Sequence, residues 1–438
     1  MHCAAIYARI RCIYRVQLQK NLAFQALLSL PETMRIRAFQ GLRPDVEVAV
    51  EVASLPYDVV STEEARALGE MNPKSFLHIV RAEIDLPQKT DPYSEHVYVQ
   101  AKENFEKFRS NNWLVREDAP CLYVYQQRLN EHRQTGLVTV CHIDDYECNI
   151  IRKHEKTRQQ KEDDRTALNR SLNAHPGPVF LTYPEQAHID AAIAAICEET
   201  PLFDFTAPDR VQHTVWKVTE FAGFIAEFAN IPCCYVADGH HRSASAARIA
   251  KEKRVANPDH TSHEDYNWFL AVLFPQNQLN ILPYNRHILD LNGLSAHDFL
   301  SRIKTVCTVT EGADACPDAA GNVAMYLAGK WYGLRFNSAA SADPVANLDV
   351  SHLQNRILGP ILGIDDPRTD DRIDFVGGIR GTRELEKRVQ EFPGSVAFSM
   401  FPVTCQQLMA IADADQIMPP KSTWFEPKLR SGLFVHTL

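Results

Sequence analysis

The segment Asp238-Gly239-His240-His241-Arg242 sets an acid, a glycine, two imidazoles and a guanidinium between two patterns. Before it lies a short apolar run, Ile231 to Ala237; after it an Ala-rich helical pattern begins near Ser243. Read as strand, turn and helix, the segment sits at a helix N-terminus. Unpaired N–H groups and a partial positive charge there suit an anion such as phosphate. Gly239 lets the backbone approach a ligand closely, Arg242 offers phosphate oxygens a fork of donors, and Ser243 opens the helix behind them. Asp238 is a candidate ligand for magnesium or for a substrate hydroxyl. His240 and His241 are candidates to orient a phosphate or move a proton. The competing reading is an ordinary turn with a solvated arginine.

A second concentration of reactive groups is His154-Glu155-Lys156-Thr157 with Lys161-Glu162-Asp163-Asp164-Arg165. Position 158 is Arg, so the zinc-protease H-E-x-x-H pattern is absent. If the segment is helical, His154, Arg158, Lys161 and Arg165 follow one another on neighbouring turns, a cationic line suited to polyphosphate or a carboxylated substrate. Glu155 is then a candidate general base. The alternative is a solvated, salt-bridged helix face. Phe76 to Glu83 alternates apolar and polar residues, so a strand is expected at Leu77 to Val80, with His78 and Arg81 near its end and Glu83 a second candidate base. Leu55-Pro-Tyr-Asp-Val59 reads as a turn carrying Asp58. In the stiff tail Pro419-Pro420-Lys421-Ser422-Thr423, Lys421 could close on phosphates, or the tail could be a strap held down by Trp424 and Phe425. His213, near Trp216, reads as a packed or hydrogen-bonded residue.

Asp238 to Arg242, followed by small residues, resembles the Gly-x-His-Arg signature of the ParB/sulfiredoxin fold, whose members bind nucleotide phosphates at this turn. The wider chain resembles the domain-of-unknown-function family 1015. That resemblance runs from Ile36-Arg-Ala-Phe-Gln-Gly-Leu-Arg-Pro44 to the tail between Met418 and Gly432. Between them it passes through Leu55 to Val59, Phe76 to Arg81, His154 to Thr157 and Lys161 to Arg165. Most relatives have Pro where this chain has Ala82, a change that bears on loop rigidity. Related kinases phosphorylate free L-serine with ADP or ATP. The resemblance therefore implies ATP or ADP with Mg2+ as cofactors, and a small hydroxyl substrate, L-serine, converted to O-phosphoserine. Two other classes stay open: a nucleotide-binding regulator that hydrolyses its ligand slowly, and a ParB-like DNA-associated protein. The formal charge of −9 argues against nucleic acid as a partner.

These side chains need a framework. A chain of 438 residues with 45% apolar and 23% charged residues is long enough for two or three globular domains. No apolar run reaches the length of a membrane span, and the 11 cysteines show no C-x-x-C pairing, so reduced thiols in a cytoplasmic protein are expected. The first 33 residues hold Arg9, Arg11, Arg15 and Lys20 and no acid before Glu32. They read as an organelle leader, an appended amphipathic helix, or a start placed ahead of a true one at Met34; the last is favoured, because the resemblance begins directly after that Met. Ser61-Thr-Glu-Glu64 has the capping-box form and predicts a helix over 62–71. Further helices are expected at 94–110, 188–198 and 218–229, and strands at 121–126, 136–143, 179–182 and 268–274, with Arg128 to Thr135 as a polar hairpin loop. Strands and helices mix without a strict βαβ rhythm, which predicts an α+β fold. The expected organisation is a ParB/sulfiredoxin-like core over 34–291 and an α/β subdomain over 292–438.

Overall fold

The computed structural model describes residues 33–336 and 341–438; the basic segment at 1–32 lies outside the described residues. The fold is α+β. A nine-stranded mixed sheet runs in the order Ile151–Arg152, Cys234–Asp238, Val179–Tyr183, Trp268–Pro275, His132–His142, Leu122–Leu129, Gln212–Val218 and Phe203–Thr206, with Ile36–Arg37 added against His132–His142. Cys234–Asp238 beside Ile151–Arg152, and Trp268–Pro275 beside Val179–Tyr183, are its parallel pairs.

Period-two alternation sorts the strand residues onto two buried faces. Val124, Leu181, Val236 and Leu273 share one face with Phe224 and Phe228 of the helix Ala222–Phe228 and Ala246 and Ala250 of the helix His240–Ala256. Tyr123, Phe180, Tyr235 and Val272 point to the other, which is continuous with the core of a second sheet and with the tail residues Leu433 and Phe434. Burial on both sides explains why Trp268 to Phe274 is apolar throughout. A helical lobe covers the edge near the Asp238 turn, with Phe76, Phe105, Phe108 and Leu168 in its core. In that lobe the helix Thr62–Met71 starts as expected: Ser61 Oγ accepts from the Glu64 N–H at 3.1 Å, and Glu64 Oε2 accepts from the Ser61 N–H at 2.8 Å.

The second sheet has six strands, in the order Thr308–Glu311, Lys330–Arg335, Asn322–Leu327, Val396–Ser399, Tyr284–Ile288 and Ile373–Gly377. All its ladders are antiparallel, so this part is α+β and not the α/β unit expected. The reason is visible in the tight turn at Ala328 (φ 49°) and Gly329 (φ 81°), which makes a hairpin where a parallel sheet would need a helical crossover. The sheet draws its first strand from 284–288, ahead of residue 292.

Two local expectations fail. Leu77–Val80 is a helical turn, not a strand: the Leu77 N–H meets Ser75 Oγ at 3.3 Å and the Val80 N–H meets the Phe76 carbonyl at 3.1 Å. A short apolar run fits a buried helical turn as well as a strand. The polar stretch 128–135 is also strand for most of its length, closed by a two-residue turn at Asn130 (φ 53°) and Glu131. Its buried Gln134 donates to Gln127 Oε1 at 2.9 Å, and Gln127 donates to the Lys428 carbonyl at 2.8 Å, so the returning tail satisfies polar groups that look like a loop in sequence.

The tail binds the halves together. Trp424–Glu426 pairs with Asn280–Leu282, Ser431 bridges to Ser54, Val435 exchanges two 2.9 Å hydrogen bonds with Leu42, and His436–Thr437 pairs with Ala174–His175. Among the described residues no helix is long and apolar enough to cross a membrane.

Candidate functional site

The strand Cys234–Asp238 ends after a register irregularity between Val236 and Asp238. Gly239 follows at φ 95°, in the left-handed region that only glycine enters freely, and caps the helix His240–Ala256. This strand-turn-helix is the one expected, with the helix starting at His240 where the Ala-rich pattern suggested Ser243. The turn opens on a groove of about 960 Å³. Asp238, Gly239, His240 and His241 line one wall, and Glu155, Lys156, Arg158 and Lys161 line another. Tyr57, Asp58 and Arg81 enter from the helical lobe; Asp365, Asp366, Arg368 and the segment Ile417 to Lys421 close the far side.

The groove groups differ in how much of their bonding is already used. His241 Nε2 accepts from the Arg158 N–H at 3.0 Å, which locks the two walls together, and burial lowers the His241 pKa. Lys161 donates to Tyr93 Oη at 2.8 Å, and Lys421 lies 5.4 Å from the Tyr284 ring centroid. Burial works against the Lys421 charge, but Tyr284, Glu155 and Asp58 outweigh it and raise its pKa. The Arg81 guanidinium is taken up by Glu83, Thr62 and the carbonyls of Tyr57 and Val60, and Arg368 by Asp366. Lys156, Arg158, Lys161 and Lys421 are further cations that line the groove.

Two histidines and a glutamate meet at its floor. His154 and His240 are buried, with ring centroids 4.5 Å apart and planes at 90°. His240 Nδ1 is 3.9 Å from Glu155 Oε2. Burial, with His240 beside it, pushes His154 down to about 3, and burial pushes His240 down to about 3 despite Asp238. Both rings are neutral near pH 7.

Several expected roles need correction. Arg242 turns away from the groove: it donates to the Pro178 carbonyl, lies 3.9 Å from Asp238, and lines a small separate cavity with Arg165 and Tyr57. Ser243 is fully buried, its hydroxyl donating to the His240 carbonyl at 3.0 Å, as helix-interior serines commonly do. Arg158 is the N-cap of the helix Gln159–Leu172, so His154 precedes that helix and the four-cation line does not form. Arg165 is buried in a two-pronged pair with Asp164 at 2.9 and 2.7 Å and stacks 4.0 Å from the Tyr57 ring centroid. Glu83 is buried against Arg81 Nε at 2.7 Å and does not reach the groove. Asp238 does line the groove, but its oxygens accept from the Gly239 N–H at 2.9 Å and from Lys428 Nζ at 3.1 Å. Burial opposes its ionisation, yet Lys428 and Arg242 hold the carboxyl well below the usual range. Each Asp238 oxygen thus already accepts one hydrogen bond, while Asp58 and Glu155 also line the groove. Nothing local in the sequence links Lys428 to Asp238. Asp365, Asp366 and Arg368 belong to a loop far along the chain with no motif of its own.

No curated protein matches the chain. Solved structures that the chain is similar to include a free serine kinase in complex with AMP, at 10% identity and TM-score 0.35 over 68% of this chain and 91% of that one. Another is SbnI with C-terminal truncation from Staphylococcus aureus, at 10% identity and TM-score 0.36 over 67% and 85%. A third is a conserved hypothetical protein from Pyrococcus furiosus, at 13% identity and TM-score 0.33 over 67% and 93%. The profile described as protein of unknown function (DUF1015) matches residues 36–351, and on that span the chain belongs to this family.

Proposed function

We propose that the groove binds ADP or ATP and transfers a phosphoryl group to a small hydroxyl substrate, with free L-serine, as the sequence resemblance implies, the first acceptor to test. The observation that carries this reading is convergence. The N-terminus of the helix His240–Ala256 and four cations from two separate segments, Lys156, Arg158, Lys161 and Lys421, surround one groove of nucleotide size. Phosphoryl transfer asks for positioning, neutralisation of phosphate charge and a group facing the attacking hydroxyl. The helix N-terminus and the cations supply the first two. Glu155, a third exposed and on the groove wall, is the carboxylate for the last. Asp238 acts here as a positioning residue, fixing the turn through Gly239 and Lys428. The ParB/sulfiredoxin-like label and a cytoplasmic setting belong to the same reading. They are supported by the sequence signature at 238–242 and by cysteines that are free among the described residues.

The test is direct. Protein incubated with magnesium, L-serine and either nucleotide yields O-phosphoserine by mass spectrometry, and Lys421→Ala suppresses both nucleotide binding and product. If a panel of hydroxy amino acids and sugars gives no phosphorylated product while nucleotide still binds, the kinase reading fails and a nucleotide-binding regulator takes its place.

A further inference from the structure

We propose that His154, Glu155 and His240 form a binding site for a divalent transition-metal ion at the floor of the groove. One ligand atom from each of the three lies within 4.8 Å of the others. Both histidines are more than nine-tenths buried, at 1% and 5% exposure. Nε2 of His240 has no hydrogen-bond partner in the protein, and of the two ring nitrogens of His154 only one faces an acceptor, the Val236 carbonyl, so that the other has none. Buried polar atoms are almost always satisfied, so two buried rings that each keep a nitrogen without a partner call for a missing one, and an ion takes one nitrogen from each. The gap between His240 Nδ1 and Glu155 Oε2, 3.9 Å, is too long for a hydrogen bond. It does suit two ligands on one ion, each about 2.0–2.2 Å away.

The framework holds the two rings and leaves the carboxylate to adjust. Met418 donates its N–H to the His154 carbonyl at 2.8 Å, pinning that residue to the tail, while His240 is fixed by the turn at Gly239. Glu155, 32% exposed, is the ligand free to close in on an ion. Two neutral imidazoles with one carboxylate select zinc, manganese, cobalt or nickel, and disfavour magnesium and calcium, which prefer an all-oxygen shell. Three protein ligands leave a position open toward the groove, as in catalytic sites and unlike closed structural ones. The site shares the groove with the nucleotide reading but does not depend on it, and it gives Glu155 a use distinct from direct contact with a hydroxyl.

Full-length protein stripped with a chelator and titrated with Co2+ tests the assignment, followed by calorimetry with Zn2+ and with Mg2+. The expected result is one equivalent of Co2+ with the visible bands of low-coordinate cobalt, displaced by Zn2+ and not by Mg2+. Glu155→Gln, at a partly exposed position, weakens Zn2+ binding by more than the roughly 10- to 100-fold that losing a ligand's supporting partner costs. His154→Ala and His240→Ala abolish the cobalt bands. Absence of stoichiometric binding by the stripped wild type, or full-strength Zn2+ binding by Glu155→Gln, overturns the proposal. AMP and ADP titrations of the same metal-free protein report on the nucleotide reading separately, since its cations are untouched.

Discussion

Arg158 and Arg242 both belong to segments that promise phosphate contacts, yet the structure gives them different work. Arg242 anchors the turn to the Pro178 carbonyl, so Arg242→Ala should cost about 1.5–3 kcal/mol of stability and leave ADP affinity nearly unchanged. Arg158→Ala or Lys421→Ala should do the reverse, weakening ADP roughly 10-fold or more at little cost in stability. Paired urea melts and calorimetry read both axes, and a large affinity loss in Arg242→Ala would reverse the assignment. His213 sets a pH limit. It is fully buried, Nε2 accepts from Arg430 Nε at 3.1 Å, and Nδ1 then donates to Tyr125 Oη at 2.7 Å. Burial and Arg430 push its pKa well below the ordinary value, so the folded state holds it neutral. A depressed histidine pKa contributes stability that is fully present above the unfolded value, about 6.5, and lost as pH falls below it. Unfolding free energy should therefore drop between about pH 6.5 and 5, by up to about 1.4 kcal/mol per pH unit for this group. His213→Gln should flatten that slope; an unchanged slope would show that other groups dominate it.

At the scale of elements, the turn between Cys234–Asp238 and His240–Ala256 depends on one backbone angle. A Cβ on Gly239 would meet the Arg242 guanidinium at 3.0–3.1 Å and hold φ 95°, where side chains are strained. Gly239→Ala should cost on the order of 1–3 kcal/mol and weaken nucleotide binding with it, measured by melting temperature and ADP titration on the same samples. Affinity kept at wild-type strength would mean that the helix N-terminus does not touch the phosphates. This turn was legible in the sequence because its signals are local: an apolar run, Asp-Gly, then an Ala-rich pattern. So was the helix at Thr62–Met71, announced by Ser61 and Glu64. Leu77–Val80 was not, because three buried apolar residues around His78 carry no period that separates a helical turn from a strand. Arg165 and Glu83 carried the right charge for a site and spent it on Asp164 and Arg81. Those pairings arise from tertiary packing, as does the bond between Lys428 and Asp238, and no local spacing encodes them.

Taken whole, the molecule is two sheets sharing a core that the tail completes. Phe434 is fully buried, with ring centroids 5.0 Å from Tyr123 and 5.7 Å from Tyr125. Phe434→Ala should lower stability by about 3–5 kcal/mol, and the loss should appear in one cooperative transition reported alike by far-UV circular dichroism and tyrosine fluorescence. Two separated transitions would show that the halves unfold independently. The tail also gives the groove a place in time. Asp238 precedes its lysine partner by 190 residues, and Lys421 lies on that same late stretch. While the chain is being made, the turn at Gly239 can leave the ribosome and settle against its strand long before either lysine exists. A nascent chain that stops short of Lys421 carries the signature without the closed groove, so on the proposed function nucleotide capture waits until the tail has been laid across both halves.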